Sequence, residues 1–162
     1  MIDVLFEQLV IQNTGLGAEV IWRAVYEAYE GKGRTEGVAF PLVFLVLPLT
    51  FHQSSATVLA SKTKPGAIYK AIAENREITV GLQERMEALS ERTFQSLSIG
   101  FSTGLLKLDR DNEFQIIPGR KSLPVKHLTH EVQTIFKASK RVGQTFAELT
   151  IIQIAKHLEI RF

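Results

Sequence analysis

The sequence VAFPLVFLVLPLTFH, residues 38–52, is the stretch around which we expect the rest of the chain to fold. No formally charged residue occurs between positions 36 and 62, which predicts that this segment is buried. It is too short to cross a bilayer, which takes about 20 apolar residues. Pro41 suits the first turn of a helix and Pro48 removes a helical hydrogen bond, so we predict a buried central helix kinked at Pro48. A strand over residues 42–47 stays open, because periodicity does not separate a buried strand from a buried helix.

The length and composition are those of an ordinary globular protein. The 162 residues fit a single compact domain, residues 1–162, with a division into residues 1–104 and residues 105–162 as an open alternative. The absence of cysteine excludes disulfides, thiolate zinc sites and cysteine nucleophiles. Because Met1-Ile2-Asp3 lacks the basic-then-apolar plan of a signal peptide, we expect a cytoplasmic protein.

Apolar residues recur at helical spacing in several further segments. Asn13-Thr14 and Thr129 are each predicted to cap a helix, because their side chains accept from free N–H groups. Thr150 and Gln153 have the spacing of a capping box. The predicted helices cover residues 2–10, 14–28, 52–59, 67–74, a long amphipathic segment at 78–97, 129–147 and 151–157. Residues 158–162 are predicted to form either a terminal strand or a docked tail.

A β-hairpin is predicted between residues 105 and 117. Apolar alternation flanks Asp109-Arg110-Asp111-Asn112, whose residue types tolerate a left-handed backbone. One hairpin among helices is the usual arrangement of a winged helix and its wing, although other α+β folds contain one too. The expected fold class is therefore α+β and mainly α, with a winged-helix-like hairpin and a buried, proline-kinked central helix.

The sequence offers little that indicates catalysis or metal binding. His127 and His130 are three residues apart, but no third ligand lies near them. His52 lies near two serines without the glycine-flanked elbow that a serine nucleophile needs. We therefore predict no catalytic residue, no metal site, no cofactor and no enzyme activity.

The basic residues are concentrated in one part of the chain. Six of them lie between positions 118 and 147 against Glu131 alone, a local excess of +5. A patch of this kind suits nucleic acid or an acidic partner, although a simple solvated face remains an alternative. The candidate DNA-binding residues are Arg120, Lys121, Lys126, Lys137, Lys140 and Arg141.

Four segments together resemble a known family. They are NTGLGA at residues 13–18, FPLVFLVLPLTFH at 40–52, RVGQTFA at 141–147 and IQIAKHLEIR at 152–161. The chain is similar to the middle component of bacterial three-component ABC systems, the small subunit encoded beside an SMC-like ATPase and an effector. Anti-phage systems of the Lamassu type belong to that group.

The resemblance implies a non-catalytic adaptor. ATP hydrolysis would belong to a coiled-coil ATPase partner and nucleic-acid cleavage to an effector, while this chain would couple DNA engagement to the effector. Trp22, Tyr26 and Tyr29, expected to be exposed, are candidates for partner contact, because Trp and Tyr dominate interface hot spots; they are equally compatible with a core edge. The rival interpretation is a free-standing winged-helix DNA-binding regulator that uses the helices at 131–147 and 151–157 and the hairpin.

Overall fold

The computed structural model describes residues 13–62, 67–121 and 128–162, which form a mainly helical fold with one two-stranded antiparallel sheet. This confirms the α+β, mainly α class. The opening helix predicted over residues 2–10 lies outside the described residues. The elements are α1 (Thr14–Gly31), α2 (Phe40–Val43), α3 (Val46–Thr50), α4 (Gln53–Ala60), α5 (Ala67–Glu74), α6 (Leu82–Ala88), α7 (Ser90–Ser102), β1 (Leu106–Asp109), β2 (Gln115–Pro118), α8 (His130–Glu148) and α9 (Ile151–Leu158).

The central stretch is buried, but it forms two short helices instead of one kinked helix. The first helix ends at Val43 and the second begins at Val46, so the break lies about one turn before the predicted kink, although Phe44 and Leu45 keep right-handed backbone angles. The reason is that Pro48 has no N–H to donate to the Phe44 carbonyl four residues earlier, so the helix restarts with Pro48 in its first turn. No single described helix is long and apolar enough to cross a bilayer; the pair Phe40–Thr50 and Gln53–Ala60 passes that test together by length and composition, but is bent by 99°.

Helix α1 lies at the centre of the packing, against α7, α8 and β2. The predicted cap is confirmed, since the Leu16 N–H donates to Asn13 Oδ1 at 2.9 Å. The predicted apolar face of α1 is buried. Contact with α8 is close because Ser139 Oγ donates to the Val20 carbonyl at 2.5 Å and Gly143 lies directly against the Ala24 carbonyl.

The long amphipathic segment is divided into α6 and α7 at Leu89, whose backbone (φ −97°, ψ 4°) departs from helical geometry. The predicted apolar stripe is nevertheless confirmed, because all its residues are buried: Ile78, Leu82, Met86, Leu89, Thr93 and Leu97. The stripe faces the core that α1 and the central stretch provide.

The hairpin is confirmed, with Leu106 opposite Pro118 and Asp109 opposite Gln115. A bridge between Val38 and Ile116, with two hydrogen bonds of 2.8 Å, ties β2 to the beginning of the central stretch. The strands pack against α1 and α7. The hairpin is thus part of the core structure.

The last helices begin and end largely as predicted. Thr129 caps α8, and Thr150 and Gln153 form the expected capping box on α9. The residues after α9 form a docked tail, not a strand. Ile160 is buried, and the Arg161 N–H donates to Gln83 Oε1 at 2.9 Å.

Candidate functional site

Five of the six basic candidates lie in the described part of the chain, and Lys126 lies outside it. They occupy two places, the segment directly after β2 and helix α8: Arg120, Lys121, Lys137, Lys140 and Arg141. All are exposed except Arg141, which is half-buried and donates from Nη1 to Gln144 Oε1 at 2.9 Å. We refer to these five residues as the basic face.

Helix α1 holds the two parts of the basic face. The Trp22 indole Nε1–H donates to the Arg120 carbonyl at 3.0 Å. The next residue, Arg23, places its guanidinium carbon 3.9 Å from the centre of the Phe136 ring, and Phe136 directly precedes Lys137. Consecutive residues of α1 therefore contact both the Arg120 segment and the Lys137 turn of α8.

Acidic residues of α1 reduce part of this positive charge. Glu27 Oε1 lies 3.8 Å from Lys140 Nζ, and Glu19 Oε1 lies 3.5 Å from Arg23 Nη2. Among the described residues, Lys121 and Lys137 form no ion pair, so they are the cations that remain most available to a polyanion.

The expectation that Trp22 is exposed is wrong. Its side chain is 4% exposed, stacked on Tyr26 with ring centres 5.2 Å apart, and hydrogen-bonded to the Arg120 segment. Tyr26 and Tyr29 are half-buried. The sequence could not reveal this, because the segment bonded to Trp22 is 98 positions away.

A cluster of exposed phenylalanines lies elsewhere and was not predicted from the sequence. Phe40 and Phe44, one turn apart, contact Phe94 from α7, with ring centres 6.4 and 4.9 Å from it. Phe94 is 56% exposed and Phe40 is 38% exposed. The rings line an open groove of about 470 Å³ that also includes Met86 and Phe162. We refer to it as the aromatic groove.

Three of the four histidines lie in the described part of the chain. His52 occupies the N-cap position of α4, and its Nδ1 lies 2.8 Å from Ser55 Oγ. His130 is exposed at the start of α8, where it lines a pocket of about 150 Å³. His127 lies outside the described residues. Within residues 13–62, 67–121 and 128–162, no group of three or more His, Asp or Glu side chains is placed to hold a metal ion.

Residues 3–162 of the chain match the family model described as ABC-three component (ABC-3C) system Middle Component 3. The chain belongs to this family. No curated protein and no solved structure matches it. The family resemblance inferred from the four sequence segments is thereby confirmed, and the protein is an accessory component of a three-component ABC system.

The hairpin of this middle component is poorly suited to act as a DNA-binding wing. Its tip carries Asp109, Asp111 and Glu113 against Arg110, so a phosphate backbone would meet net negative charge there. Its strands pack on α1 and α7, whereas a DNA-binding wing projects from its helices. Both observations weigh against the free-standing winged-helix regulator.

Proposed function

We propose that this middle component is a non-catalytic adaptor of the Lamassu type in bacterial anti-phage defence. It joins an SMC-like coiled-coil ATPase, DNA and a nuclease-type effector in the cytoplasm. The observation that carries the proposal is the presence of two surfaces of different chemistry on different elements. The aromatic groove is built from α2, α6, α7 and the tail, and the basic face is built from α8 and the segment after β2.

The two surfaces suit two kinds of partner. Contiguous exposed apolar side chains rimmed by polar residues are typical of protein interaction sites. Exposed lysines and arginines attract a phosphate backbone and lose affinity as salt rises. A subunit that contacts a protein with one surface and DNA with another is able to couple the two events without chemistry of its own.

Co-expression of the three components encoded together tests the assembly. We expect a tagged middle component to retain the ATPase and the effector through size-exclusion chromatography at physiological salt. Recovery of the middle component alone, together with tight binding of short duplex DNA by the isolated chain, would contradict the adaptor proposal and favour a regulator.

The role of the basic face is tested by reversing two of its charges. We expect the Lys137→Glu, Lys140→Glu double variant to assemble normally. The DNA-stimulated activity of the complex should fall by about tenfold or more, because the surface then repels the phosphate backbone. The Lys70→Glu, Lys107→Glu double variant is a matched control, since it changes the net charge equally at exposed lysines outside the basic face. Failure of the first variant to assemble would instead identify the basic face as a protein interface.

A further inference from the structure

The aromatic groove exposes large apolar side chains to solvent. Phe94 projects from α7 between the buried positions Thr93 and Leu97, and its ring is 56% exposed. The Phe40 and Phe44 rings pack edge-on at 5.6 Å and support it from one side. Exposed aromatic rings held in fixed contact with one another present a ready surface for an apolar partner, because few rotamers must be immobilised on binding.

The groove is formed before any partner binds. Gln83 on α6 accepts from the Arg161 N–H at 2.9 Å and donates to the Arg161 carbonyl at 3.3 Å, which holds the tail and Phe162 in place as one wall. Met86 lies at the base of the groove and is itself buried. Methionine adapts to differently shaped apolar side chains, so this base is compatible with several anchors.

Helix α6 brings acidic side chains to one edge of the groove. Glu87 lines the groove, and Glu84 lies one turn before it on the same side of α6. Glu91 is exposed in the first turn of α7, after the break at Leu89. None of the three forms an ion pair with another described residue. This side of the groove therefore attracts cations.

Arg85 and Arg92 are not among the described residues that line the groove, and their guanidinium groups make other contacts. Arg85 donates to the main-chain carbonyls of Ile78 and Val80 at 3.1 and 2.9 Å. Arg92 donates to Gln95 Oε1 at 3.0 Å. Among the described residues that line the groove, Arg161 on the facing wall is the one with a basic side chain.

We infer that the aromatic groove binds an amphipathic helix of another protein component of the same system, with apolar side chains on one face and lysines or arginines along the edge that meets Glu84 and Glu87. The inference rests on the proposed adaptor function, which requires a protein partner. A helix fits because the described residues that line the groove belong to helices and the tail, so they offer no strand edge for pairing. In addition, apolar side chains one turn apart on a helix have a spacing similar to that of the Phe40, Phe44 and Phe94 rings.

Photo-crosslinking in the co-expressed three-component complex tests the occupant directly. A benzoylphenylalanine placed at Phe94 is expected to crosslink to a lysine- or arginine-flanked amphipathic helix of another component, identified by peptide mass spectrometry. The same probe at Phe114, which is 58% exposed on the hairpin, is the matched control and should not label that peptide. A crosslink at position 94 to a second copy of this chain, to DNA, or to no peptide would overturn the inference.

Two pairs of variants measure the contributions of the rings and of the charges. We expect Phe94→Glu to weaken binding of the isolated component that position 94 labels by about tenfold or more, as for a central hot spot, and Phe114→Glu to leave it unchanged. Glu84→Lys with Glu87→Lys should also weaken this binding, and the loss should be larger at low salt than at high salt. Glu77→Lys with Glu148→Lys, at exposed acidic residues outside the groove, is the charge-matched control.

The outcomes separate this inference from the proposed function. If the unmodified chain does not assemble with the other components, the adaptor function fails. If it assembles and the Phe94→Glu complex remains equally tight, the adaptor function stands and the groove is not its interface. Thermal unfolding of each variant shows that the fold is retained, because Phe94 is exposed and its replacement leaves no cavity.

Discussion

Phe114 has an unusual conformation for an exposed aromatic residue. Its φ is +55°, and the preceding Glu113 has the same value, so two consecutive non-glycine residues are left-handed at the hairpin. This conformation brings Cβ close to the following carbonyl oxygen. The hairpin register between β1 and β2 imposes it, because Asp109 and Gln115 pair at the two ends of the turn.

We expect Phe114→Gly to raise the free energy of unfolding by about 1 kcal/mol, because glycine adopts positive φ without a steric cost. Chemical denaturation monitored by circular dichroism measures the change. Phe114→Ala is the control, since it removes the ring but keeps Cβ, and it should give no such gain. A gain of equal size from alanine would attribute the effect to the exposed ring instead of to the backbone.

At the level of elements, the contact between α1 and α8 depends on small residues at the crossing. A Cβ on Gly143 would meet the Ala24 carbonyl oxygen and the Glu27 Cβ, both of which belong to α1. Ser139, one turn earlier, donates to the Val20 carbonyl in the same interface. The two helices therefore approach until backbone contacts backbone, which positions Glu27 beside Lys140 and the basic face beside Trp22.

We expect Gly143→Ala to lower the free energy of unfolding by about 1–3 kcal/mol, because the added methyl group forces α1 and α8 apart. Gly15→Ala is the opposite case. Gly15 is exposed in the first turn of α1 and the new Cβ has room, so the variant should gain about 0.5 kcal/mol from helix propensity. Thermal and denaturant unfolding of both variants check the two signs, and a neutral Gly143→Ala would contradict the tight crossing.

For the whole molecule, the balance of charge limits how strongly the isolated chain binds DNA. Lys140 is paired with Glu27, Arg141 is half-buried, and the hairpin tip is acidic. On the described part of the basic face, few exposed and unpaired cations therefore remain to contact phosphates. The adaptor proposal and the regulator alternative differ most in how strongly they require the isolated chain to bind DNA.

We expect the isolated chain to bind short duplex DNA weakly, with a log–log salt slope no steeper than about −3, since each phosphate contact contributes about −0.9. Fluorescence anisotropy across a salt series measures the slope. A regulator with six or more phosphate contacts would give a slope steeper than about −5, and that result would contradict the adaptor proposal.

Much of the architecture was accessible from the residues alone, because local chemistry specifies it. Asn13, Thr129 and the Thr150–Gln153 capping box act within one turn of chain, and the hairpin turn needs only residues that tolerate left-handed geometry. The burial of the central stretch likewise follows from its lack of charge. Family membership could also be inferred, since it depends on segments that are read directly from the sequence.

The position of the candidate surfaces, in contrast, depends on contacts between residues far apart in the chain. Trp22 is buried, and its indole N–H donates to the carbonyl of Arg120, which is 98 positions away in the chain. The aromatic groove joins Phe40, Phe94 and Phe162, which are brought together by the packing of α2, α7 and the docked tail. Periodicity describes each helix separately, whereas a surface shared by three elements exists only after they pack.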